Sequence, residues 1–201
     1  MEIFKYGQTE LEYLKKKDKK LAKAIERIGM IERKVIPDLF AALIYSIVGQ
    51  QISAKAADTV WNRMLEYFGG ITPEKIAEAS AEAIQKFGLS MRKANYIKNI
   101  GEAVAKKELD LDELVTLSDE EVINKLSQLN GIGGWTAEML MIFSMQRPNI
   151  VSWGDLAIRR GVMMLYHHRE LDKVKFEKYR RRYSPYGSVA SLYLWAISSG
   201  R

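Results

Sequence analysis

Three glycines within four residues mark the stretch of this sequence whose composition most clearly suggests chemistry. The stretch is LNGIGGWTAEML, residues 129–140, and it contains Gly131, Gly133 and Gly134. Because glycine costs conformational entropy, such a cluster indicates unusual backbone dihedrals or a close approach of the backbone to another group. At a helix N-terminus, unpaired N–H groups and the helix dipole favour an anion, and a phosphate can come close where side chains are missing. The alternative is an ordinary helix–helix turn that uses glycine to avoid left-handed strain.

The charge of the chain indicates which anion to expect. The sequence has 31 Lys and Arg against 25 Asp and Glu, a formal net charge of +6 at pH 7, with a pI near 9.3. In a basic protein the expected anion is a nucleic-acid backbone phosphate, bound without reading the bases. Net charge permits such binding but does not establish it. The densest basic run, KKKDKK at residues 15–20, lies in a segment with a helical pattern, and there we favour a solvated helix face.

Composition excludes several classes of site. The 201-residue chain has no cysteine, which excludes disulfides, thiolate zinc sites and cysteine-ligated iron–sulfur clusters. Its two histidines, His167 and His168, are adjacent, which argues against a histidine-rich metal site. The N-terminal MEIFKYGQTELEYL lacks the continuous apolar region of a signal peptide, and no stretch approaches the length of a membrane span. We therefore expect a cytoplasmic protein, nucleoid-associated if its source is prokaryotic, with no membrane partner and no resident metal or cofactor.

Helical patterns with N-cap residues follow one another along the chain. Apolar residues recur at helical spacing in IPDLFAALIYSIVGQQ, and SDEE at residues 118–121 has the form of a capping box. Further helix starts are indicated at Ser53, Thr72 followed by Pro73, Ser80, Ser90, Asp155 and Asp172. The glycines then lie in a hairpin between a helix at about 119–128 and a second helix that begins near Trp135. No segment shows convincing period-two alternation with turn dipeptides, so the sequence predicts an all-α fold of about ten helices.

The hairpin and several other stretches resemble one known family. LNGIGGWTAEM is similar to the helix-hairpin-helix motif of the DNA glycosylase superfamily, and VSWGDLAIRRG resembles the segment that carries its catalytic aspartate. FAALIYSIVGQQISAKAADTVWNR and GLSMRKANYIKNIGEAV are similar to the glycosylase core. YSPYGSVASLYLWAIS resembles the end of the 3-methyladenine DNA glycosylase II branch. The matches span roughly residues 36–199, so by resemblance the chain is identified as a member of this branch.

This resemblance implies an architecture of two helical lobes with an active-site cleft between them. One lobe would comprise residues 36–147 and include the helix-hairpin-helix motif at about 119–146. The other would be built from residues 1–35 and 148–201. The residues that precede the core have a helical pattern and are few, so we expect no N-terminal β-domain of the kind that the best-known members carry.

The resemblance maps the catalytic carboxylate onto Asp155, in the cleft. Base excision breaks an N-glycosidic bond, so positive charge develops on the deoxyribose as the base leaves. A carboxylate that faces the sugar stabilises this oxocarbenium-like transition state and can orient or deprotonate the attacking water. A helix start favours the charged form that this role requires. From the pattern alone Asp155 is a plain N-cap, and both roles can hold together.

The resemblance also assigns aromatic residues to a base pocket in the same cleft. Trp135 occupies the position at which bifunctional members carry a lysine that attacks the sugar, which implies a monofunctional hydrolase that leaves an abasic site. A base methylated at a ring nitrogen is a cation, and an indole face attracts it. Trp195 matches a second aromatic of this branch's pocket, and Tyr193 is a weaker candidate. For all three residues the alternative is a core aromatic on an apolar helix face.

Two stretches would contact the DNA. The backbone-binding residues that the resemblance implies lie in the hairpin, where a monovalent cation can also bind, and are Gly131, Gly133, Gly134 and Thr136. In VGQQIS, Gln51 takes the position of the wedge that fills the gap left by the flipped base, with Gln50 beside it facing the pocket or the base stack. The branch often has an apolar wedge, so Gln51 departs from its pattern. The alternative is a polar helix terminus followed by the N-cap Ser53.

These implications combine into one functional hypothesis with two alternatives. We expect a monofunctional DNA glycosylase that acts as a monomer on damaged double-stranded DNA in base excision repair. It would flip alkylated purines such as 3-methyladenine and 7-methylguanine from the duplex and hydrolyse their N-glycosidic bonds. One alternative is a glycosylase of the same superfamily for a neutral lesion such as oxidised guanine, uracil or hypoxanthine. The other is a non-catalytic helix-hairpin-helix DNA-binding protein, which would need the hairpin but neither Asp155 nor an aromatic pocket.

Overall fold

Helices account for the regular structure of the chain. In the computed structural model, which describes residues 2–200, the chain forms thirteen α-helices and no β-strand, with one isolated antiparallel bridge between Ile3 and Lys34. The all-α prediction is confirmed, although the helices are more numerous than the ten or so expected. In chain order they are α1 (Gln8–Lys17), α2 (Lys19–Ile28), α3 (Leu39–Val48), α4 (Ala54–Phe68), α5 (Pro73–Glu78), α6 (Ala81–Gln85), α7 (Met91–Ala105), α8 (Glu113–Thr116), α9 (Asp119–Leu126), α10 (Gly134–Phe143), α11 (Leu156–Tyr166), α12 (Lys173–Tyr183) and α13 (Gly187–Ser198).

The chain divides into two compact units. One is Ile36–Leu140, which holds α3 to α9 and most of α10. The other consists of the described residues up to Val35 and from Met141 onward, which hold α1, α2 and α11 to α13. The division falls inside α10, earlier than the boundary at residue 147 that the resemblance implied. No helix within residues 2–200 is long and apolar enough to cross a membrane.

Side-chain caps begin the helices where the sequence indicates. At the start of α9 the capping box is complete, because Ser118 Oγ accepts the Glu121 N–H at 3.3 Å and the Glu121 carboxylate accepts the Ser118 N–H at 2.9 Å. The other predicted caps that each accept the N–H three residues ahead are Ser53, Thr72, Ser80, Ser90 and Asp172. Each cap satisfies a donor that the helix itself leaves unpaired, so these starts depend on local sequence alone.

The basic run KKKDKK is interrupted, whereas its pattern predicted a helix throughout. α1 ends at Lys17 and α2 begins at Lys19, with Asp18 between them in an extended conformation (φ −144°, ψ 107°). Oδ1 of Asp18 accepts the N–H groups of Lys20 and Leu21 at 3.0 and 2.9 Å. The prediction was wrong at this residue because a buried carboxylate that caps a second helix outweighs the helical pattern around it.

The same carboxylate also holds the far end of α11. Its Oδ2 accepts hydrogen bonds from the Tyr166 hydroxyl and the Arg182 guanidinium, both at 2.6 Å. Tyr166 is the last residue of α11, and its hydroxyl lies 2.8 Å from that of Tyr183. Burial acts to raise the pKa of the Asp18 carboxyl, but the hydrogen bonds from Tyr166, the Leu21 N–H and Arg182 outweigh it, so the pKa lies below its usual value.

Close packing against α13 fixes the middle of α11. A Cβ at Gly161 would overlap the backbone carbonyl of Leu194, so only glycine allows the two helices to approach this closely. α11 is therefore held at its centre by Gly161 and at its C-terminal end by the Tyr166–Asp18 hydrogen bond. These two contacts also fix the position of its N-terminal end, where Asp155 lies.

We expect Asp18→Asn to lower the free energy of unfolding by about 2 kcal/mol at neutral pH, because the amide keeps the N-cap but loses charge-assisted hydrogen bonds. The lowered pKa sets the sign of the pH dependence. The ionised form stabilises the fold above the unfolded-state pKa of about 3.9, and this contribution is lost as the pH falls through the lower folded-state pKa. In urea unfolding, the difference between the variant and the wild type should therefore shrink below about pH 4.

Asp172→Asn is the matched control, since Asp172 is also an N-cap but is exposed. It should change the free energy of unfolding little at any of these pH values. A difference between Asp18→Asn and the wild type that stayed constant with pH would contradict the role given to the ionised carboxylate.

Candidate functional site

The glycine hairpin forms the connection between α9 and α10. α10 begins at Gly134, one residue before the predicted start, and the Gly133 carbonyl accepts the Ala137 N–H at 2.9 Å. Ile132 is buried, and its N–H donates to the Leu129 carbonyl at 3.0 Å, which closes the turn. The buried isoleucine anchors the turn from within, while Gly133 and Gly134 at the start of α10 are exposed.

The three glycines serve different purposes. Gly131 has φ +88°, and a Cβ there would lie 2.5 Å from Tyr96 Cδ2 and 2.9 Å from Ile47 Cδ1, so the fold itself requires glycine. A Cβ on Gly133 would have no heavy atom within 4 Å, and one on Gly134 would make only an ordinary contact with Ile123. The turn interpretation therefore accounts for Gly131 alone, and the fold gives no steric reason for glycine at 133 and 134.

Gln50 links the hairpin to the end of α3, and Lys93 holds the end of α3 within the Ile36–Leu140 unit. Gln50 Nε2 donates to the Gly131 carbonyl at 2.7 Å. Lys93 Nζ, from α7, donates to the carbonyls of Val48 and Gln50 at the end of α3. Burial, with a smaller contribution from the charge of Arg92, lowers the pKa of Lys93. Sequence analysis missed Lys93, for which the available signal was that the carbonyls at the end of α3 need donors.

The Gln50 contact adds a structural role to the VGQQIS stretch. The Gln50 amide links this stretch to the hairpin, and the place of Gln50 beside the wedge stays a prediction. Gln51 has φ +59°, a left-handed conformation that is uncommon outside glycine, and its side chain is exposed. Ile52 follows with 41% of its surface exposed, so an apolar side chain projects from the same turn. The strained, exposed backbone at Gln51 fits a functional position, and its role as the wedge stays a prediction.

The three hairpin carbonyls that could coordinate a monovalent cation already have partners in the protein. Those of Leu129, Gly131 and Gly133 each accept a hydrogen bond from the protein, from the Ile132 N–H, the Gln50 amide and the Ala137 N–H respectively. Each carbonyl oxygen has a second lone pair, so coordination by the same atoms remains chemically compatible with these bonds. The cation stays a prediction.

Trp135 and Thr136 lie in the first turn of α10. The Trp135 side chain is 50% exposed, which is unusual for the largest apolar residue, and Thr136 is half-buried. The core interpretation of Trp135 is therefore excluded by its exposure.

Asp155 begins α11 as its N-cap. Its Oδ1 accepts the N–H groups of Ala157 and Ile158 at 2.8 and 2.9 Å, so the cap interpretation is confirmed. The residue is only 7% exposed, although carboxylates are seldom buried. A carboxylate that accepts two backbone hydrogen bonds at the start of a helix is held in a fixed geometry. Such a group can stabilise a developing positive charge.

A stacked pair that the sequence analysis missed lies beside Asp155. The Arg159 guanidinium lies 4.8 Å from the centre of the Trp153 ring, and Trp153 packs edge-on against the buried Phe176 at 5.2 Å. The sequence did contain a signal for this contact, namely an aromatic residue two positions before Asp155 and a cationic residue one helical turn after it.

The two aromatic residues assigned to α13 differ in exposure. Trp195 is half-buried, with its ring centre 5.5 Å from that of Phe143. Tyr193 is fully buried at 0% exposure, and its hydroxyl donates to the Gly29 carbonyl at 2.9 Å. The expectation that Tyr193 lines a base pocket was wrong, because α13 turns this side chain into the core.

Within residues 2–200, no group of three or more His, Asp or Glu side chains is placed to hold a metal ion. His168 instead shares a hydrogen bond of 2.6 Å with the Tyr179 hydroxyl.

This chain is similar in sequence and in structure to known DNA repair proteins. The pattern of the HhH-GPD superfamily of base excision DNA repair proteins matches residues 44–185. DNA-3-methyladenine glycosylase 1 of Schizosaccharomyces pombe is 36% identical over 167 residues, which cover 79% of this chain and 72% of that protein. A crystal structure of a DNA-3-methyladenine glycosidase from Bacillus halodurans is similar with a TM-score of 0.86 and 37% identity, covering 98% of this chain and 93% of that one.

A second similar structure was solved with DNA bound. It is the 3-methyladenine DNA glycosylase of S. pombe in complex with abasic DNA, with a TM-score of 0.78 and 30% identity over 94% of this chain and 95% of that one. The matched region includes the hairpin and Asp155, and it covers well over half of the sequence. This chain therefore belongs to the HhH-GPD superfamily of base excision DNA repair proteins.

Proposed function

We infer that this protein is a DNA glycosylase that hydrolyses the N-glycosidic bonds of alkylated purines in duplex DNA, as part of base excision repair. The observation that carries this inference is the buried carboxylate of Asp155, held at the start of α11 by two backbone N–H groups. The relatives at 36% and 37% identity are named as enzymes that act on 3-methyladenine, which supports the same substrate class here. Neither the neutral-lesion nor the non-catalytic alternative is favoured.

Hydrolysis of the N-glycosidic bond needs a group that stabilises the positive charge developing on the sugar. As the C1′–N bond lengthens, the deoxyribose becomes oxocarbenium-like, and the Asp155 carboxylate stabilises it and orients water towards C1′. An N-alkylated purine already carries positive charge, so it leaves as a neutral base without needing an enzymatic acid. The base must first leave the helix, at an unstacking cost of a few kcal/mol. Gln51, with Ile52 beside it, fills the gap in the duplex.

Trp135 bears on both the substrate and the product. It stands where bifunctional members of the superfamily carry an amine nucleophile, so the product is an intact strand with an abasic site. Its exposed indole attracts a cationic base more than a neutral one, and such a contact, once desolvated, contributes about 2 kcal/mol. Trp195 supplies a second aromatic surface in the base pocket.

The hairpin binds the DNA backbone. Gly133, Gly134 and Thr136 form the exposed start of α10, where N–H groups without helical partners can donate to a phosphate. The net charge of +6 favours encounter with DNA and disfavours self-association, so we propose that the protein acts as a monomer on DNA in the cytoplasm or nucleoid.

A panel of duplexes, each with a single lesion, tests the proposed function. We expect release of 3-methyladenine and 7-methylguanine as free bases, with strand cleavage only after alkali treatment. Uracil, hypoxanthine and 8-oxoguanine should be released at least about 30-fold more slowly in single-turnover assays, because they lack the attraction between a cation and an indole. Preferred release of a neutral base, or strand cleavage without alkali, would contradict the proposal.

Asp155→Asn should reduce base release by at least about 100-fold, while affinity for damaged DNA stays similar or rises. Asparagine is as good an N-cap as aspartate, so the start of α11 should persist and the variant should remain folded. Asp172→Asn, at the N-cap of α12, is the matched control and should leave the single-turnover rate unchanged. Wild-type turnover by the Asp155 variant would remove this carboxylate from the mechanism.

Gly133→Val should weaken binding to damaged and undamaged DNA alike by about tenfold, because the lost contact is to phosphate. The fold accommodates the new side chain, so the melting temperature should change little. Gly7→Val is the control, since Gly7 is also an N-cap glycine and a Cβ there would have only the Glu10 carboxylate near it, at 4.0 Å. Unchanged DNA affinity in Gly133→Val would show that the hairpin does not approach the backbone.

A further inference from the structure

Arg159 has an unusual environment for a cationic side chain. Its Nε is buried and has no hydrogen-bond partner among residues 2–200. Its guanidinium lies over the face of Trp153, 4.8 Å from the ring centre. The neighbouring Arg160 differs, because its Nε donates to Ser198 Oγ at 2.8 Å, and Arg182 is paired with Asp18. A buried N–H of a charged group that lacks an acceptor is costly, and an external anion that binds the terminal N–H groups of the same guanidinium would offset this cost through its charge.

The position of Arg159 indicates where that partner would lie. Arg159 follows the N-cap Asp155 by four residues, so both residues lie at the N-terminal turn of α11. Side chains on a helix point back towards its N-terminus, and the stacking on Trp153 shows that Arg159 does so. Trp153 is in turn supported by Phe176, so the guanidinium is held on a packed platform beside Asp155.

The chemistry of the reaction selects the charge of the partner. A cation held near Asp155 would oppose both the binding of a cationic base and the positive charge that develops on the sugar. An anion bound to Arg159 removes this opposition. The anion that DNA brings to this position is a backbone phosphate, and arginine stacked on an aromatic ring keeps its N–H donors directed at such a group.

We propose that Arg159, seated on the Trp153 ring, binds a backbone phosphate that flanks the nucleotide acted on at Asp155. This proposal rests on the proposed function, since it assumes that a nucleotide is presented to Asp155. It adds a contact to DNA that is separate from the hairpin and that belongs to α11. Binding the phosphate places the sugar of the flipped nucleotide beside the carboxylate and neutralises the guanidinium there.

The test measures how a neutral phosphate changes the affinity of two proteins for the same DNA. The probes are duplexes with a tetrahydrofuran abasic-site analogue and one methylphosphonate linkage, placed at one phosphate at a time on both sides of the analogue. Affinities are measured for the wild type, Arg159→Gln, Arg159→Lys and the control Arg169→Gln, in which an exposed arginine loses the same charge. Because the analogue has no base to release, the measurement does not depend on catalysis.

One position of the neutral linkage should weaken wild-type binding by about tenfold, and the same linkage should leave Arg159→Gln binding unchanged. Arg159→Lys should recover part of the sensitivity, and Arg169→Gln should behave as the wild type. The slope of log affinity against log salt concentration should fall by about 0.9 in Arg159→Gln, as expected for one lost phosphate contact. A folded Arg159→Gln variant that responds to every linkage as the wild type does would overturn the proposal. Arg159 would then have another role, such as contact with the base or packing on Trp153.

The lesion panel separates this result from the proposed function. A wild type that releases alkylated bases but shows no coupling between Arg159 and any phosphate would keep the function and overturn the contact. A wild type that releases no base but shows the coupling would keep the contact and overturn the function.

Discussion

The burial of the Asp155 carboxylate is the constraint on which the rest of its unit depends. A carboxylate that is 7% exposed needs hydrogen-bond donors, and the N–H groups of Ala157 and Ile158 provide them because α11 begins directly after this residue. The helix must then be held along its axis, which the contact of Gly161 with α13 achieves. At its other end, Tyr166 bonds to the second buried carboxylate, Asp18. One helix is therefore positioned between two buried acids, each of which is also an N-cap.

The three glycines of the hairpin have different roles. Packing within the fold requires glycine at Gly131, whereas Gly133 and Gly134 are exposed and their positions have room for a side chain. Gly131 allows the turn to pack against Tyr96 and Ile47, and its carbonyl receives the Gln50 amide. With the turn held in this way, Gly133 and Gly134 present bare backbone to solvent at the start of α10. A loop without the internal contacts of Gly131 would have to be ordered by its ligand, at a cost in affinity. A turn that is already held by the protein would avoid most of this cost if its backbone N–H groups bind a phosphate, as proposed.

How much could be predicted from the sequence depends on how far apart the interacting residues lie. The caps at Ser53, Ser118 and Asp155 were predictable because donor and acceptor are within three residues. The break at Asp18 was not, because it depends on partners as distant in sequence as Tyr166. The same applies to Gln50, whose partner is 81 residues away, and to the Arg159–Trp153 pair, whose stacking needs the Phe176 ring behind it. Resemblance named the stretch containing Gln50 but not the direction in which its amide points.

Net charge and local charge have separate consequences in this protein. The excess of +6 acts over long distances and raises the rate of encounter with a polyanion, but salt screens it within about 10 Å at ordinary ionic strength. Several basic residues are compensated within the protein, as Arg182 is by Asp18 and Lys15 is by Glu12. Specific placement of a nucleotide requires a cation that is fixed, desolvated and not already compensated, because only such a group gains a strong interaction when a phosphate arrives. Arg159 meets the first of these conditions, because its guanidinium lies over the Trp153 ring, and its buried Nε has no hydrogen-bond partner among residues 2–200.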